Sequence, residues 1–284
     1  MTTPAGTIRL QRTEVAAAYD QGVDAYVALW SPVILPAARA VVAALDLGPA
    51  ARVLDVGTGS GALEPSIRAA ATDGTIVGLD ASPEMLRRCR SDTGIPVICC
   101  DAQSLPIRDA AVDAVILAFV LFHLSDPARA VAEAARVLAA GGRVGTATWA
   151  RDDSMEADAV WDETLTEAGA PPLPASRVDT GLDDEDAISR LLAGAGLRPA
   201  RIWREPLRHR WDPPTYYRFA TGVGRNKKRL RQLNAGRRGE VLDRALKRLR
   251  ALDPDAFAWT GETICAVATL PVRPAHRAGA ASTP

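Results

Sequence analysis

The sequence predicts an α/β protein built on a doubly wound, mostly parallel sheet, and three observations carry that reading. Between Arg52 and Trp149 short apolar runs alternate with helical stretches, the pattern of strand–helix–strand units joined by right-handed crossovers. Val112–Phe119 is a nearly unbroken apolar run, as in strands buried on both faces of a sheet. The first run ends in Gly57, Gly59 and Gly61, which permit the sharp turn from a strand into a helix.

The elements follow in order. Val15, Tyr19, Val23, Tyr26 and Trp30 recur at helical steps; Pro32 and Pro36 interrupt, and Ala37–Leu47 resumes as a second helix stopped at Gly48-Pro49. Arg52–Val56 is the first strand and Ala62–Ala71 a helix. Thr75–Leu79 is the second strand, ending at Asp80. Ser82-Pro83-Glu84 caps and opens a helix reaching Cys89. Pro96–Cys99 and Val112–Phe119 are the third and fourth strands, Pro127–Ala140 a helix closed by Gly141-Gly142, and Arg143–Trp149 the fifth strand. Beyond it come a helix at Met155–Ala168, the proline-rich loop Pro171–Pro174, a helix at Asp184–Ala195 and a strand at Pro199–Leu207. A helix at Val241–Leu252 and a last strand at Thr263–Leu270 complete the series. The chain divides into N-terminal helices (1–50), a core (51–150), a cap with the final strands (151–270) and a disordered tail (271–284).

Composition narrows the function. Thirty-four basic residues balance thirty-four acidic ones, which argues against a surface that coats nucleic acid. The N-terminus has no apolar signal core, the longest apolar run is nine residues, and four cysteines lack CxxC spacing. These features read as a cytoplasmic protein with reduced thiols and no membrane span. No cluster of side chains has metal-ligand spacing, so no metal is expected.

The informative segment is VLDVGTGSGAL, Val53–Leu63. Glycines after a first strand let backbone lie against a nucleotide-type ligand at the carboxyl edge of the sheet. The spacing is G-x-G-x-G rather than the dinucleotide G-x-G-x-x-G, and Asp55 precedes it. Asp80 closes the second strand, where a carboxylate can accept from both ribose hydroxyls; Asp101 follows the third, within reach of an adenine edge. Three acids at three strand ends suit a ligand bearing a sulfonium and an ammonium better than a diphosphate.

VLDVGTGSG, VGLDASPEML, CCDAQSLPIRDAAVDAVILAFVLFHLSD and RVLAAGGRVGTATW, in that order, resemble the class I S-adenosylmethionine-dependent methyltransferases, in the small-molecule branch related to quinone-biosynthesis methylases. The resemblance implies a Rossmann-like, seven-stranded sheet with an antiparallel final strand. It implies S-adenosyl-L-methionine as cofactor, S-adenosyl-L-homocysteine as product, and cofactor contacts from Asp55, Gly57, Thr58, Gly59, Asp80, Ala81, Asp101, Ala102, Ala118 and Phe119, with Met85 on the adenine face. It also implies that the N-terminal helix bearing Tyr19 and Tyr26 covers the cofactor. Signatures that quinone-biosynthesis members carry around the fourth strand and C-terminus are absent, which points to a different acceptor.

His123 and His209 are the candidate general bases; His276 falls in the tail. Only Phe119 and Phe122 among the aromatics lie between Ala51 and Thr148. The acceptor is therefore expected between the N-terminal helix and the cap, lined by Tyr19, Tyr26, Trp30, Trp149, Trp211 and Tyr216, with Trp161, Trp203 and Tyr217 also available. Arg225–Arg250 holds eleven basic residues against two acids, a net +9. It reads as a solvated helix face, with Leu242, Ala245, Leu246 and Leu249 inward and Arg244, Lys247 and Arg248 outward; a nucleic-acid track or an anionic-substrate clamp are the alternatives. The expectation is a methyltransferase acting on an O, N or C nucleophile of a small molecule in specialised metabolism. An RNA or tRNA methyltransferase, or a cofactor-binding protein that does not methylate, stays open, as does a homodimer.

Overall fold

The structure, a computed structural model, describes residues 14–152, 155–172 and 181–272. Within them a seven-stranded sheet runs in the order β3-β2-β1-β4-β5-β7-β6. Its strands are β1 (Arg52–Val56), β2 (Thr75–Asp80), β3 (Val97–Cys99), β4 (Val112–Ala118), β5 (Leu138–Asp152), β6 (Arg198–Arg210) and β7 (Ala258–Thr269). β1 to β5 pair in parallel; β7 is antiparallel to both neighbours, with Ala147 opposite Cys265 and His209 opposite Trp259. The order reverses between β1 and β4, so the crevice outside their carboxyl ends is the switch point where such sheets bind ligands.

Helix α1 (residues 14–20) lies over the carboxyl edge of the sheet, and one side of the sheet carries α2 (Val23–Ala44) and α3 (Glu64–Ala70), with the cap packed against the same core. The other carries α5 (Pro127–Val137) and α7 (Glu185–Gly194). α4 (Pro83–Thr93) packs beside β2 and β3. The cap is α6 (Glu156–Glu167), α8 (Pro213–Gly222), α9 (Gly224–Arg231) and α10 (Ala235–Leu249), followed by a 3₁₀ turn at Pro254–Phe257.

Three departures from the sequence reading have physical causes. Pro32 and Pro36 do not split the second helix. Pro32 lies in the first turn of the α-helical stretch Ser31–Ala44, and a five-residue π turn at Tyr26–Trp30 joins that stretch to Val23–Ala25. Pro36 lacks the N–H that would return to the carbonyl of Pro32, a loss the helix absorbs. The resulting helix, Val23–Ala44, is long and apolar enough by composition to cross a membrane, an outcome the nine-residue run did not suggest. Here Ala37, Val41 and Val42 are buried against the sheet, so its apolar side closes the core. α5 ends at Val137, because Leu138 turns extended and pairs with Val112; Gly141 and Gly142 instead sit in a bulge of β5, held by reciprocal backbone bonds to Leu270. α10 begins at Ala235, capped by Asn234, whose side-chain oxygen accepts from the Arg237 N–H at 2.9 Å. The expected tail lies outside the described residues from 273 onward, as do Pro174 and His276.

Candidate functional site

Four loops leave the carboxyl ends of β1 to β4 and meet under α1. The first is the glycine turn. Gly57 has φ +75°, and a Cβ there would meet Val120 Cγ2 at 2.2 Å, so only glycine fits. Gly59 has φ +54° and open space where a Cβ would project, on the cavity side. Its N–H donates to Asp80 Oδ2 at 2.9 Å, while the Ser82 N–H donates to Oδ1 at 2.8 Å. Both carboxylate oxygens are thus fixed and each keeps acceptor capacity. Burial raises the Asp80 carboxyl above the ordinary carboxylate range. It raises buried Asp55, on β1, to about 6. On the third loop the Asp101 Oδ1 accepts from the Gln103 backbone N–H at 3.1 Å and from its amide at 3.2 Å.

The fourth loop carries strain. Phe119, directly after β4, has φ +59° and donates its N–H to Ala147 O at 2.7 Å. A non-glycine residue there costs about 1–2 kcal/mol. The ring forms part of the wall of both cavities described next.

The larger cavity encloses about 890 Å³ including its mouth, within the size range of small-molecule sites. Gly57, Gly59, Asp80, Ala81, Met85, Asp101, Ala102, Ala118 and Phe119 line it, together with Tyr19, Tyr26 and His123. An adjoining cavity of about 450 Å³ is bounded by Asp55, Gly57, Thr58, Gly59, Ser60 and α2. All the predicted cofactor residues therefore converge. Val15, Ala16, Ile34, Cys100, Val120 and Leu124 also line the larger cavity and were not predicted as site residues; Val15 shares the noted stripe of Tyr19 and Tyr26, Cys100 adjoins Asp101, and Val120 and Leu124 flank His123.

The predicted base and acceptor residues divide. His123 sits in the 3₁₀ turn Leu121–His123, and its Nε2 lies 2.9 Å from the Tyr19 hydroxyl. The two rings meet edge to face, and Tyr26 meets Tyr19 the same way at 5.3 Å. Burial holds the Tyr19 phenol well above its ordinary pKa, so it stays protonated; it donates to Nε2 in the His123 tautomer whose proton is on Nδ1. Trp30 and Trp149 stand one layer back, Trp149 touching Phe119 at 5.1 Å between ring centroids. Trp211 and Tyr216 do not line the cavity. They are buried in the cap, Tyr216 donating to Asp158 at 2.7 Å, because Tyr216 of α8 packs against Phe257 while Trp211 stacks on Phe219 of the same helix. Trp161 is likewise buried in the cap, and Trp203 lies on β6 under Arg201. His209, on β6, packs against Trp211 at 4.3 Å, outside the cavity lining.

The basic stretch is not a bare solvated face. Arg229 is 3% exposed and donates to Asp162, Thr166 Oγ1 and Ala170 O at 2.8–2.9 Å. Arg244 and Arg248 pair with Glu167, and Arg248 also reaches Thr164. The buried stripe of α10 is Val241, Ala245 and Leu249, with Leu242 half-buried beside it. These cations bind the cap together; Lys247 and Arg250 remain exposed.

Known proteins resemble this chain in sequence and in fold. Residues 54–145 match a family model described as a methyltransferase domain. A demethylmenaquinone methyltransferase of Thermus thermophilus is 40% identical over 111 residues, 37% of this chain and 50% of that protein. An uncharacterized methyltransferase of Mycobacterium tuberculosis is 37% identical over 139 residues, 49% of this chain and 51% of that one. The chain thus spans about half the length of these relatives. The YcgJ protein of Bacillus subtilis shares the fold at a TM-score of 0.53 and 19% identity, over 84% of this chain and 100% of that one.

Proposed function

We propose, for a chain that carries a class I S-adenosylmethionine-dependent methyltransferase domain, that it methylates a hydroxyl of a neutral, largely apolar small molecule. The observation that carries the reading is the Tyr19–His123 pair opening onto the same cavity as Asp80 and the glycine turn. S-adenosyl-L-methionine, when bound, supplies an electrophilic sulfonium methyl whose departure leaves a neutral thioether. Gly59 and Asp80 fit its ribose edge: one has no Cβ to block approach, and the other is a carboxylate already aligned by two backbone donors. Asp101 and Met85, which line the larger cavity, would read and stack the adenine, and Asp55, which lines the smaller one, would face the positive end. Orientation supplies much of the acceleration in such a displacement.

The chain's own groups handle the proton. As the acceptor hydroxyl loses its proton to the Tyr19 oxygen, Tyr19 passes its own to His123 Nε2, leaving the imidazole charged and the phenol neutral. Among the described residues no lysine or arginine lines either cavity, whereas Asp55, Asp80 and Asp101 do. An anionic acceptor would meet repulsion there, so the reading favours a neutral one and disfavours RNA. Four free cysteines accord with a reducing compartment such as the cytoplasm.

The test is methyl-labelled cofactor incubated with the purified protein and a cell extract separated into RNA, protein and small-molecule fractions. Label in a neutral small molecule, lost in Tyr19→Phe and His123→Ala by roughly 100-fold or more, is expected. Label in RNA overturns the acceptor class, and cofactor binding with no label in any fraction overturns the catalytic reading.

A further inference from the structure

α1 covers the cavity through Val15, Ala16 and Tyr19, and the two residues that follow Tyr19 are clasped from both sides. Asp20 Oδ1 accepts from Ser82 Oγ at 2.5 Å and from the Glu84 N–H at 3.1 Å. Gln21 accepts from Lys227 Nζ at its carbonyl, 2.8 Å, and from Arg231 at its side-chain oxygen. Gly22 then lets the chain pass close to Lys227 and Gly222. Ser82 is the joint of the arrangement. Its hydroxyl caps α4 by accepting from the Met85 N–H at 3.1 Å, and its N–H holds Asp80 Oδ1 at 2.8 Å. One line of hydrogen bonds therefore runs from the glycine turn through Asp80 and Ser82 to Asp20, and the next residue's carbonyl ties the line to α9.

We propose that Asp20 is a positioning residue: through Ser82 and Glu84 it fixes α1 so that Tyr19 meets His123, and it couples closure of that helix to occupancy of the Asp80 site. The proposal rests on the cofactor reading above. Asp20 is the residue suited to this. A carboxylate is acceptor-only, so one oxygen takes both the hydroxyl and the backbone N–H without a competing donor. The adjacent position in the chain transmits any displacement directly to the Tyr19 phenol. Coupling of this kind is reciprocal: a ligand that stabilises the 80–84 loop tightens α1, and loosening α1 weakens the ligand. The two reaching cations of the basic stretch, Lys227 and Arg231, acquire a role here as the cap's half of the clasp.

The experiment compares wild-type, Asp20→Ala and Asp20→Asn for S-adenosylhomocysteine binding by calorimetry and for amide hydrogen exchange across residues 14–22. Asp20→Ala is expected to bind roughly tenfold more weakly and to lose ligand-induced protection of α1. Asp20→Asn, which retains an oxygen acceptor, is expected to recover most of both. Lys227→Ala with Arg231→Ala opens the clasp from the cap side, and faster exchange of residues 20–22 is expected even if Asp20→Ala fails to fold. Wild-type protein that does not bind S-adenosylhomocysteine sinks the cofactor reading itself. Wild-type binding with native affinity and native protection in Asp20→Ala, or native exchange in the Lys227/Arg231 variant, overturns the clasp alone.

Discussion

The crevice has two unlike walls. The sheet wall is made of short chain segments, each at the end of one strand: 55–59, 80–85, 101–102 and 118–119. The opposite wall, α1 with the start of α2, is shaped by contacts between residues far apart, such as Tyr19 to His123, Asp20 to Ser82 and Gln21 to Arg231. A ligand common to many proteins can be met by a local motif, because strand ends bring their loops together whatever the flanking sequence. An acceptor particular to one protein is met by whatever the rest of the chain folds over it.

The largest effect expected from breaking this contrast is at Asp80. Asp80→Ala removes the acceptor for a ribose and strands the Gly59 and Ser82 N–H groups, so S-adenosylhomocysteine affinity should fall by roughly 100-fold or more. Calorimetry on a variant with a native circular dichroism spectrum checks it; unchanged affinity would move the cofactor to the other wall.

Asp55 sharpens the contrast through pH. Its folded pKa, about 6, lies above that of an unfolded aspartate, so folding favours the protonated form. The stability it permits is complete below about pH 4 and is lost as pH rises through 6, roughly 3 kcal/mol in all. Asp55→Asn should therefore melt higher than wild-type at pH 8 in the absence of cofactor, with the gain vanishing at pH 4. A gain independent of pH would show that the carboxylate is not the source.

Arg229 tests the cap behind the lid wall. Its side chain is 4% exposed while its partner Asp162 is 72% exposed. Arg229→Ala orphans the buried Ala170 carbonyl and empties the site, at about 2 kcal/mol; Asp162→Asn leaves the cation its other acceptors and should cost under about 1 kcal/mol. Urea denaturation of both variants measures the asymmetry, which equal losses would refute. The smallest effect belongs to Lys247→Gln with Arg250→Gln, both exposed: stability within about 0.5 kcal/mol and methyl transfer unchanged.

The same contrast explains what could be read from the chain. The β1 bounds, the Ser82 cap and the convergence of the expected cofactor residues on one crevice were legible, because strand, glycine turn and capping chemistry are local. The interruption expected at Pro32 and Pro36 was not: the π turn that joins the two stretches depends on packing against the sheet and cap. Trp211 and Tyr216 were misassigned for a related reason. Composition shows that aromatics are concentrated in the flanks, but only tertiary contacts decide which rings face a cavity and which fill a core. The cations of α9 and α10 looked solvated since their carboxylate partners lie about 60 to 85 residues upstream, beyond any helical spacing.

The π turn Tyr26–Trp30 has an optical consequence. It holds Tyr26 in the cavity wall and Trp30 among Trp149 and Trp259, with ring centroids 5.4 to 6.1 Å apart. Three of the six indoles are thus close enough for their excited states to mix. Because Trp149 also touches Phe119 of the cavity wall, the near-ultraviolet dichroism and emission of this triad are expected to shift when a ligand fills the crevice, a signal readable without dye or label.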